Sequence, residues 1–126
     1  MPDRAIKIPG PDHPITVVVN PRRVVVKLGG RTIADTTRAL TLQESSYRAV
    51  QYIPREDADM TALARSSTHT YCPYKGEASY FSIPAGGARS IDAIWTYEKP
   101  HDSVSQIKDH LAFYADRVDA IEELPA

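Results

Sequence analysis

The sequence predicts a mostly β fold of the α+β class, built of two antiparallel sheets and one C-terminal helix. Alternating or β-branched runs recur along the chain and are joined by connections of hairpin length, which favour antiparallel pairing. The 10 prolines among 126 residues favour turns and short elements over long helices. A chain of this length suits one domain, and we expect a single β-rich domain at residues 15–126 behind an extended N-terminal arm at residues 1–14.

Strands dominate the first half of the predicted domain. Residues 15–19 are β-branched throughout, and Asn20-Pro21 ends that strand. Gly29-Gly30 separates two strand-like runs, and this pair suits a hairpin turn because both turn positions need a positive φ. The predicted strands of this half are residues 15–19, 22–28, 31–35, 39–45 and 49–53.

The second half begins with a polar stretch and continues with another hairpin. Residues 55–67 predict a short helical turn followed by a loop, with Asp57 or Asp59 as the N-cap. Strands are predicted at residues 76–83 and 91–97, on either side of a turn rich in proline and glycine. The aromatic face of this hairpin is typical of a sheet core, because large aromatic side chains dominate small cores.

One segment near the C-terminus has helical spacing. Ser103 and Gln106 form a capping box, and apolar residues then recur at intervals typical of one helix face. The pattern predicts an amphipathic helix at residues 104–116 that covers a sheet face. Residues 118–124 follow as a predicted edge strand.

Composition and charge exclude several classes of function. The formal net charge of -1, without a basic stripe, argues against nucleic acid and anionic membrane as partners, and no apolar run approaches a membrane span. The single cysteine leaves no disulfide framework or cysteine-cluster zinc site, and the four histidines have no metal-ligand spacing, so we predict no metal and no cofactor. The first residues contain no apolar signal segment, and we expect a cytoplasmic protein.

The stretch TYCPYKGEASYFS at residues 70–82 contains the candidate chemistry. Pro73 and Gly76 favour a turn that brings Cys72 and Lys75 together. A thiol beside an ammonium has a lowered pKa and is a better nucleophile. Glu44 shares a strand face with two leucines, where a carboxylate must be paired or shifted in pKa, and it can pair with Lys75 or act as a general base. Cys72, Lys75 and Glu44 are therefore the candidate catalytic residues.

Four further residues are candidates for binding a ligand at this site. Tyr52 and Trp95 can stack on a planar ligand, and Tyr80 lies on the strand that follows the turn at residues 72–75, the central turn. Arg55 can hold an anionic group. The residue types therefore predict a pocket for a planar or anionic small molecule, in a binding domain or a minor enzyme.

Two alternatives use the same sequence differently. In the structural alternative, Cys72 is a small buried residue, and Lys75 with Glu44 is an internal ion pair that fixes geometry. In the other, the protein is an interaction module that uses a strand edge or the aromatic hairpin face. We expect a monomer or a weak homodimer.

Five motifs carry a resemblance to a known family. These are TYCPYKGEASY at residues 70–80, Glu44, YIPRED at 52–57, Trp95 within IWTYEKP, and FYADRVD at 113–119. Together they resemble the bacterial and fungal family known as domain of unknown function 427, over about residues 13–122. The resemblance implies a compact fold similar to the β-tent group, in which two antiparallel sheets lean together. The family is also labelled nucleotidyltransferase-like, but the resemblance implies no established activity.

Overall fold

The computed structural model describes residues 4–125 and contains ten strands in that part of the chain. The strands are β1 (Ile15–Val19), β2 (Arg23–Leu28), β3 (Arg31–Thr36), β4 (Leu40–Glu44), β5 (Val50–Tyr52), β6 (Ala64–Cys72), β7 (Gly76–Ser82), β8 (Ile94–Thr96), β9 (Leu111–Phe113) and β10 (Ala120–Leu124). Every pairing between these strands is antiparallel. The mostly β class is therefore confirmed.

The strands form three sheets, so the prediction of two sheets is wrong. Their strand orders are β1-β4-β5, β10-β2-β3 and β6-β7-β8-β9. Ile53 and Leu111 exchange two backbone hydrogen bonds of 2.8 Å, which join the first sheet to the edge of the third. The sequence pattern indicates the strands and the turns between them, but it does not show where one sheet ends and the next begins.

The predicted turn between β2 and β3 is confirmed. Gly29 and Gly30 have φ angles of 61° and 75°, which glycine adopts without the steric cost that a Cβ would add. The pairing of β7 with β8 is also confirmed, across a 3₁₀ segment at Pro84–Ser90. β8 is shorter than the predicted strand at residues 91–97, because Asp92 has a positive φ of 53° that delays the start of extended backbone.

The predicted C-terminal helix at residues 104–116 is wrong. The chain instead forms a 3₁₀ segment at Asp102–Ile107 and then β9, whose backbone is satisfied by pairing with β8. Asp109 lies between them with a φ of 60°, which is incompatible with a continuous right-handed helix. The capping box is also absent, since the N-cap is His101 and no side chain caps the segment.

Residues 55–67 are more regular than predicted. Two 3₁₀ turns, Arg55–Asp57 and Met60–Ala62, replace the single helical turn, and the Asp59 carboxylate accepts a 3.1 Å bond from the Thr61 N–H as the N-cap of the second. The loop predicted after them is wrong, because β6 already begins at Ala64. Its serines and threonines occupy both faces, so the sequence shows no clear alternation.

The core consists of two apolar clusters. The larger lies between the β10-β2-β3 sheet and the β6-β7-β8-β9 sheet. Its largest buried members are Val24, Val26, Ile33, Ile53, Phe81, Ile83, Ile94, Leu111 and Phe113. The second cluster is rich in tyrosine and lies beside the candidate site. Its buried members are Leu42, Tyr52, Ala78, Tyr80, Tyr97, Val104, Ile107 and Ala112.

The N-terminal segment is anchored on the central turn. The Lys7 N–H donates to the Pro73 carbonyl at 3.0 Å, and the Tyr71 hydroxyl donates to the Ala5 carbonyl at 2.6 Å. Arg4 pairs with Glu77 at 2.8 Å. Residues 1–3 of the predicted arm lie outside the described residues. Within residues 4–125, no helix has the length and apolar character needed to cross a membrane.

Candidate functional site

The central turn between β6 and β7 forms as predicted. The Lys75 N–H donates to the Cys72 carbonyl at 3.2 Å, which closes the turn over Pro73. Gly76 follows with a φ of 110°, and a Cβ there would lie 3.3 Å from the carbonyl oxygen of Lys99. Glycine therefore suits this position, both because of the positive φ and because the Lys99 backbone approaches closely. The turn is held by the hydrogen bond between Lys75 and Cys72 on one side and by this backbone contact on the other.

Lys75 and Glu44 form a buried ion pair at the end of β4. The Lys75 ammonium donates to Oε1 of Glu44, and the two side chains are only 11% and 12% exposed. His13 Nε2 lies 2.7 Å from the other oxygen, Oε2. The His13 ring is itself held by stacking on Tyr74, at 4.0 Å between centroids and 9° between planes. Glu44 is thus bound on both oxygens, once from the central turn and once from the N-terminal segment.

The surroundings of Glu44 favour its ionised form. Burial raises the pKa of this carboxyl group, but hydrogen bonds from Lys75 and His13 outweigh it and hold the pKa below its ordinary value of 4.5. Glu44 is therefore a carboxylate at neutral pH and the counter-ion of Lys75.

A pocket of about 260 Å³ opens beside this ion pair. Five predicted site residues line it together, namely Glu44, Tyr52, Lys75, Tyr80 and Trp95. The pocket also has lining residues that were not predicted, namely Leu42, Tyr47, Arg48, Val50, Tyr97 and Tyr114. The pocket therefore contains the carboxylate, the ammonium and the three predicted aromatic rings, but the thiol of Cys72, which was expected in the same hollow, is not among its lining residues.

The aromatic walls of the pocket are held in fixed orientations. The Trp95 indole N–H donates to the Tyr52 hydroxyl at 3.1 Å, and the two rings meet edge to face. Tyr114 lies against the other side of Trp95, with ring centroids 4.5 Å apart. The Tyr80 hydroxyl forms a 2.8 Å bond with Thr70 Oγ1. These contacts give the pocket rigid aromatic walls.

Three tyrosines of the pocket, Tyr52, Tyr97 and Tyr114, remain neutral phenols over the physiological pH range. Burial is the main cause that raises the pKa of Tyr52 and of Tyr97 well above the ordinary value of 10. Burial, with a hydrogen bond to Tyr80, raises the pKa of Tyr114 to about 12. The phenol oxygens therefore both donate and accept hydrogen bonds, and they carry no negative charge that would repel an anion.

Two predicted site residues lie away from the pocket lining. Cys72 is partly buried against the tyrosine-rich cluster. Arg55 donates to Glu98 and to Thr96 Oγ1, each at 3.2 Å, so its guanidinium is engaged in a different ion-pair group. The prediction that Arg55 holds an anionic group in this pocket is therefore contradicted by its position. The cation at the pocket rim is Arg48 instead.

The unpredicted lining residues differ in whether a sequence pattern could have indicated them. Tyr97 shares a strand face with Trp95, so alternation already pointed to it. Tyr114 falls within the predicted helix at residues 104–116, and that incorrect prediction gave no reason to place its ring in the pocket. Tyr47 and Arg48 lie in the connection between β4 and β5, where no periodic pattern exists. His13 belongs to the N-terminal segment, whose docking depends on tertiary contacts.

The arrangement has two chemical capabilities. Lys75 can hold an anionic or carbonyl oxygen, and Glu44, whose other oxygen is bound by His13, can fix the position of that ammonium. In the part of the chain that is described, no group of three or more histidine, cysteine, aspartate or glutamate side chains is arranged to hold a metal ion.

Comparison with known proteins gives one family. Residues 16–124 match the family described as Domain of unknown function (DUF427), under the family name NTP_transf_9. A search of the curated proteins found no match. The matched range contains every residue that lines the pocket, whereas His13 precedes it.

Proposed function

We propose that this chain, which belongs to the DUF427 family as its motifs predicted, is a small-molecule-binding domain for a small planar ligand with an anionic group. The ligand lies in the pocket between Lys75 and Trp95. The family description names no activity, so the proposal depends on the chemistry of the pocket.

The hydrogen-bonding state of Lys75 carries the proposal. A lysine ammonium has three N–H donors, and Glu44 is its one side-chain partner among the described residues. The remaining donors belong to a side chain that is only 11% exposed and lines the pocket. A buried ammonium with unused donors is stabilised by an acceptor, and an anionic group forms the strongest such hydrogen bond.

The walls and the size of the pocket favour a planar ligand of about one ring. Trp95 and Tyr114 present aromatic faces that are fixed by their mutual packing. Pockets that enclose drug-sized ligands have volumes of about 300–1,000 Å³. The value of about 260 Å³ found here lies just below that range and suits a compact aromatic acid.

A binding assay with matched charged and uncharged rings tests the proposal. Benzoate and nicotinate should raise the melting temperature and bind measurably in calorimetry, whereas benzamide and nicotinamide should bind about tenfold or more weakly. Lys75→Met should remove this preference for the acids. Lys108→Met, at an exposed position outside the pocket, is the matched control and should leave it unchanged.

Two outcomes would count against the proposal. One is equal binding of acids and amides to the wild-type protein, because the ammonium would then make no contact with the ligand. The other is an unchanged preference for the acids in Lys75→Met. Catalytic roles for Cys72, Lys75 and Glu44, and a monomeric or weakly dimeric state, stay predictions.

A further inference from the structure

A second cavity lies where the three sheets meet. It has a volume of about 650 Å³, which is within the range of pockets for drug-sized ligands. Its apolar walls come from all three sheets: Val50 from the first (β1-β4-β5), Val26 and Ile121 from the second (β10-β2-β3), and Trp95 and Phe113 from the third. Because three twisted sheets converge here, their side chains leave a space that no single sheet face closes.

Three polar side chains also line this cavity. They are Arg48, Gln51 and Glu123. Gln51 is oriented by its neighbours, because its Oε1 accepts bonds from Asn20 Nδ2 and Thr41 Oγ1, each at 2.9 Å. With the carbonyl oxygen occupied twice, the amide NH₂ of Gln51 is the group left to donate to a ligand.

Glu123 has a structural partner of its own. Its Oε1 accepts a 2.8 Å bond from Nδ2 of Asn20, which is buried. Asn20 uses its other amide hydrogen on Gln51, and its Oδ1 accepts from the Arg22 N–H at 2.9 Å. The carboxylate therefore satisfies a buried amide.

Arg48 differs from Glu123 in this respect. It lies in the connection between β4 and β5, and no carboxylate among residues 4–125 is within ion-pair distance of its guanidinium. The cavity thus presents two unengaged donor groups, the Arg48 guanidinium and the Gln51 amide, beside a continuous apolar wall. A carboxylate matches the planar fork of an arginine, and an apolar chain matches the wall.

We propose that this second cavity binds an amphipathic monocarboxylate, with the carboxylate on Arg48 and Gln51 and the apolar chain against Val26, Ile121 and Phe113. Four residues, Arg48, Val50, Trp95 and Tyr114, line both cavities, so the two sites are neighbours. The second site nevertheless depends neither on Lys75 nor on the proposed function of the first pocket.

Octanoate and octanamide are the probes that test this site, followed by ¹H–¹⁵N NMR of the full chain. Octanoate should shift the side-chain amide of Gln51 and the Nε–H of Arg48 in a saturable way. Octanamide should bind about tenfold or more weakly, because it lacks the charge-assisted hydrogen bonds. Arg48→Gln should weaken octanoate binding by a similar factor.

Two variants that narrow the cavity, and two controls, complete the experiment. Ala49→Trp and Ala115→Trp each place a large ring at an exposed lining position, and each should abolish octanoate binding. Ala85→Trp, an exposed alanine outside both cavities, should leave it unchanged. Lys75→Met should also leave octanoate binding intact, and this separates a failure here from a failure of the first pocket.

Three results would overturn the proposal. They are equal affinity for octanoate and octanamide, unchanged octanoate binding in both tryptophan variants, and saturable shifts that do not include Gln51.

Discussion

Replacing Lys75 by methionine tests the buried ion pair. Methionine keeps most of the side-chain length, so the variant removes the charge and the hydrogen bond while it largely preserves packing. Glu44 would then be a carboxylate that is 12% exposed, with His13 as its remaining side-chain partner. The variant therefore isolates what the ammonium contributes.

The size of the effect follows from the burial of the pair. Removing one partner of a fully buried ion pair costs about 3–5 kcal/mol, because it leaves an uncompensated charge. Here His13 retains one contact and both side chains keep some exposure, so we expect a loss of about 2–3 kcal/mol in the free energy of unfolding. The double variant Lys75→Met/Glu44→Leu removes both charges and should lie within about 1 kcal/mol of the wild type.

Urea denaturation of the wild type, both single variants and the double variant measures this cycle, with the slope of the transition checked for constancy. The pH dependence has a definite sign. The folded-state pKa of Glu44 lies below its ordinary value of 4.5, so its stabilisation is present above pH 4.5 and is lost as the pH falls through the folded-state pKa. The difference between wild type and Lys75→Met should shrink over the same interval.

Two results would refute this reasoning. A loss below about 0.5 kcal/mol in Lys75→Met would mean that the ammonium and the carboxylate behave as an exposed pair. A double variant that loses the sum of both single losses would mean that the residues act independently.

Three further predictions concern other parts of the chain. The hydrogen bond from Arg65 holds the pKa of Glu98 at about 2, so the stabilisation from Glu98 is present above pH 4.5 and falls away toward pH 2; NMR titration of its carboxyl carbon checks this, and a pKa near 4.5 contradicts it. Iodoacetamide should alkylate Cys72 more slowly than an unstructured thiol, because the side chain is partly buried, and a faster rate would support the nucleophile hypothesis. Gly30→Ala should cost about 1 kcal/mol in urea denaturation, because φ there is 75°, whereas Gly10→Ala, with no atom within 4 Å and no positive φ, is the neutral control; equal effects of both would contradict the turn assignment.

Local signals in the sequence were sufficient for most strands and for part of the site. The Gly29-Gly30 turn was predictable because few other residue pairs tolerate two positive φ angles. Strand alternation, which places the Glu44 carboxylate among leucines, and the turn that Pro73 and Gly76 favour predicted pairing with Lys75 as one of two alternatives, and the structure contains that pair.

Features that depend on distant contacts were not predictable in the same way. The apolar residues at positions 104–116 are buried as their spacing indicated, but a 3₁₀ segment and a strand bury them as well as a helix would. Pairing with β8 decides between these structures, and Asp109 accommodates the positive φ that the break requires. His13 and Arg48 reach the site only through the path of the N-terminal segment and of the β4–β5 connection.

Trp95 offers the most direct measurement, because it is the only tryptophan of the chain and lines the pocket beside Tyr52 and Tyr114. Titration of the Arg48→Gln variant, which lacks the cation of the second cavity, with benzoate and with excitation of the indole, should change its fluorescence in a saturable way at concentrations below about 10 mM. Adding Lys75→Met to this variant should remove the response, and benzamide should produce little of it. A response that is absent in Arg48→Gln, or that is the same once Lys75→Met is added, would contradict a binding site built on the unused donors of Lys75.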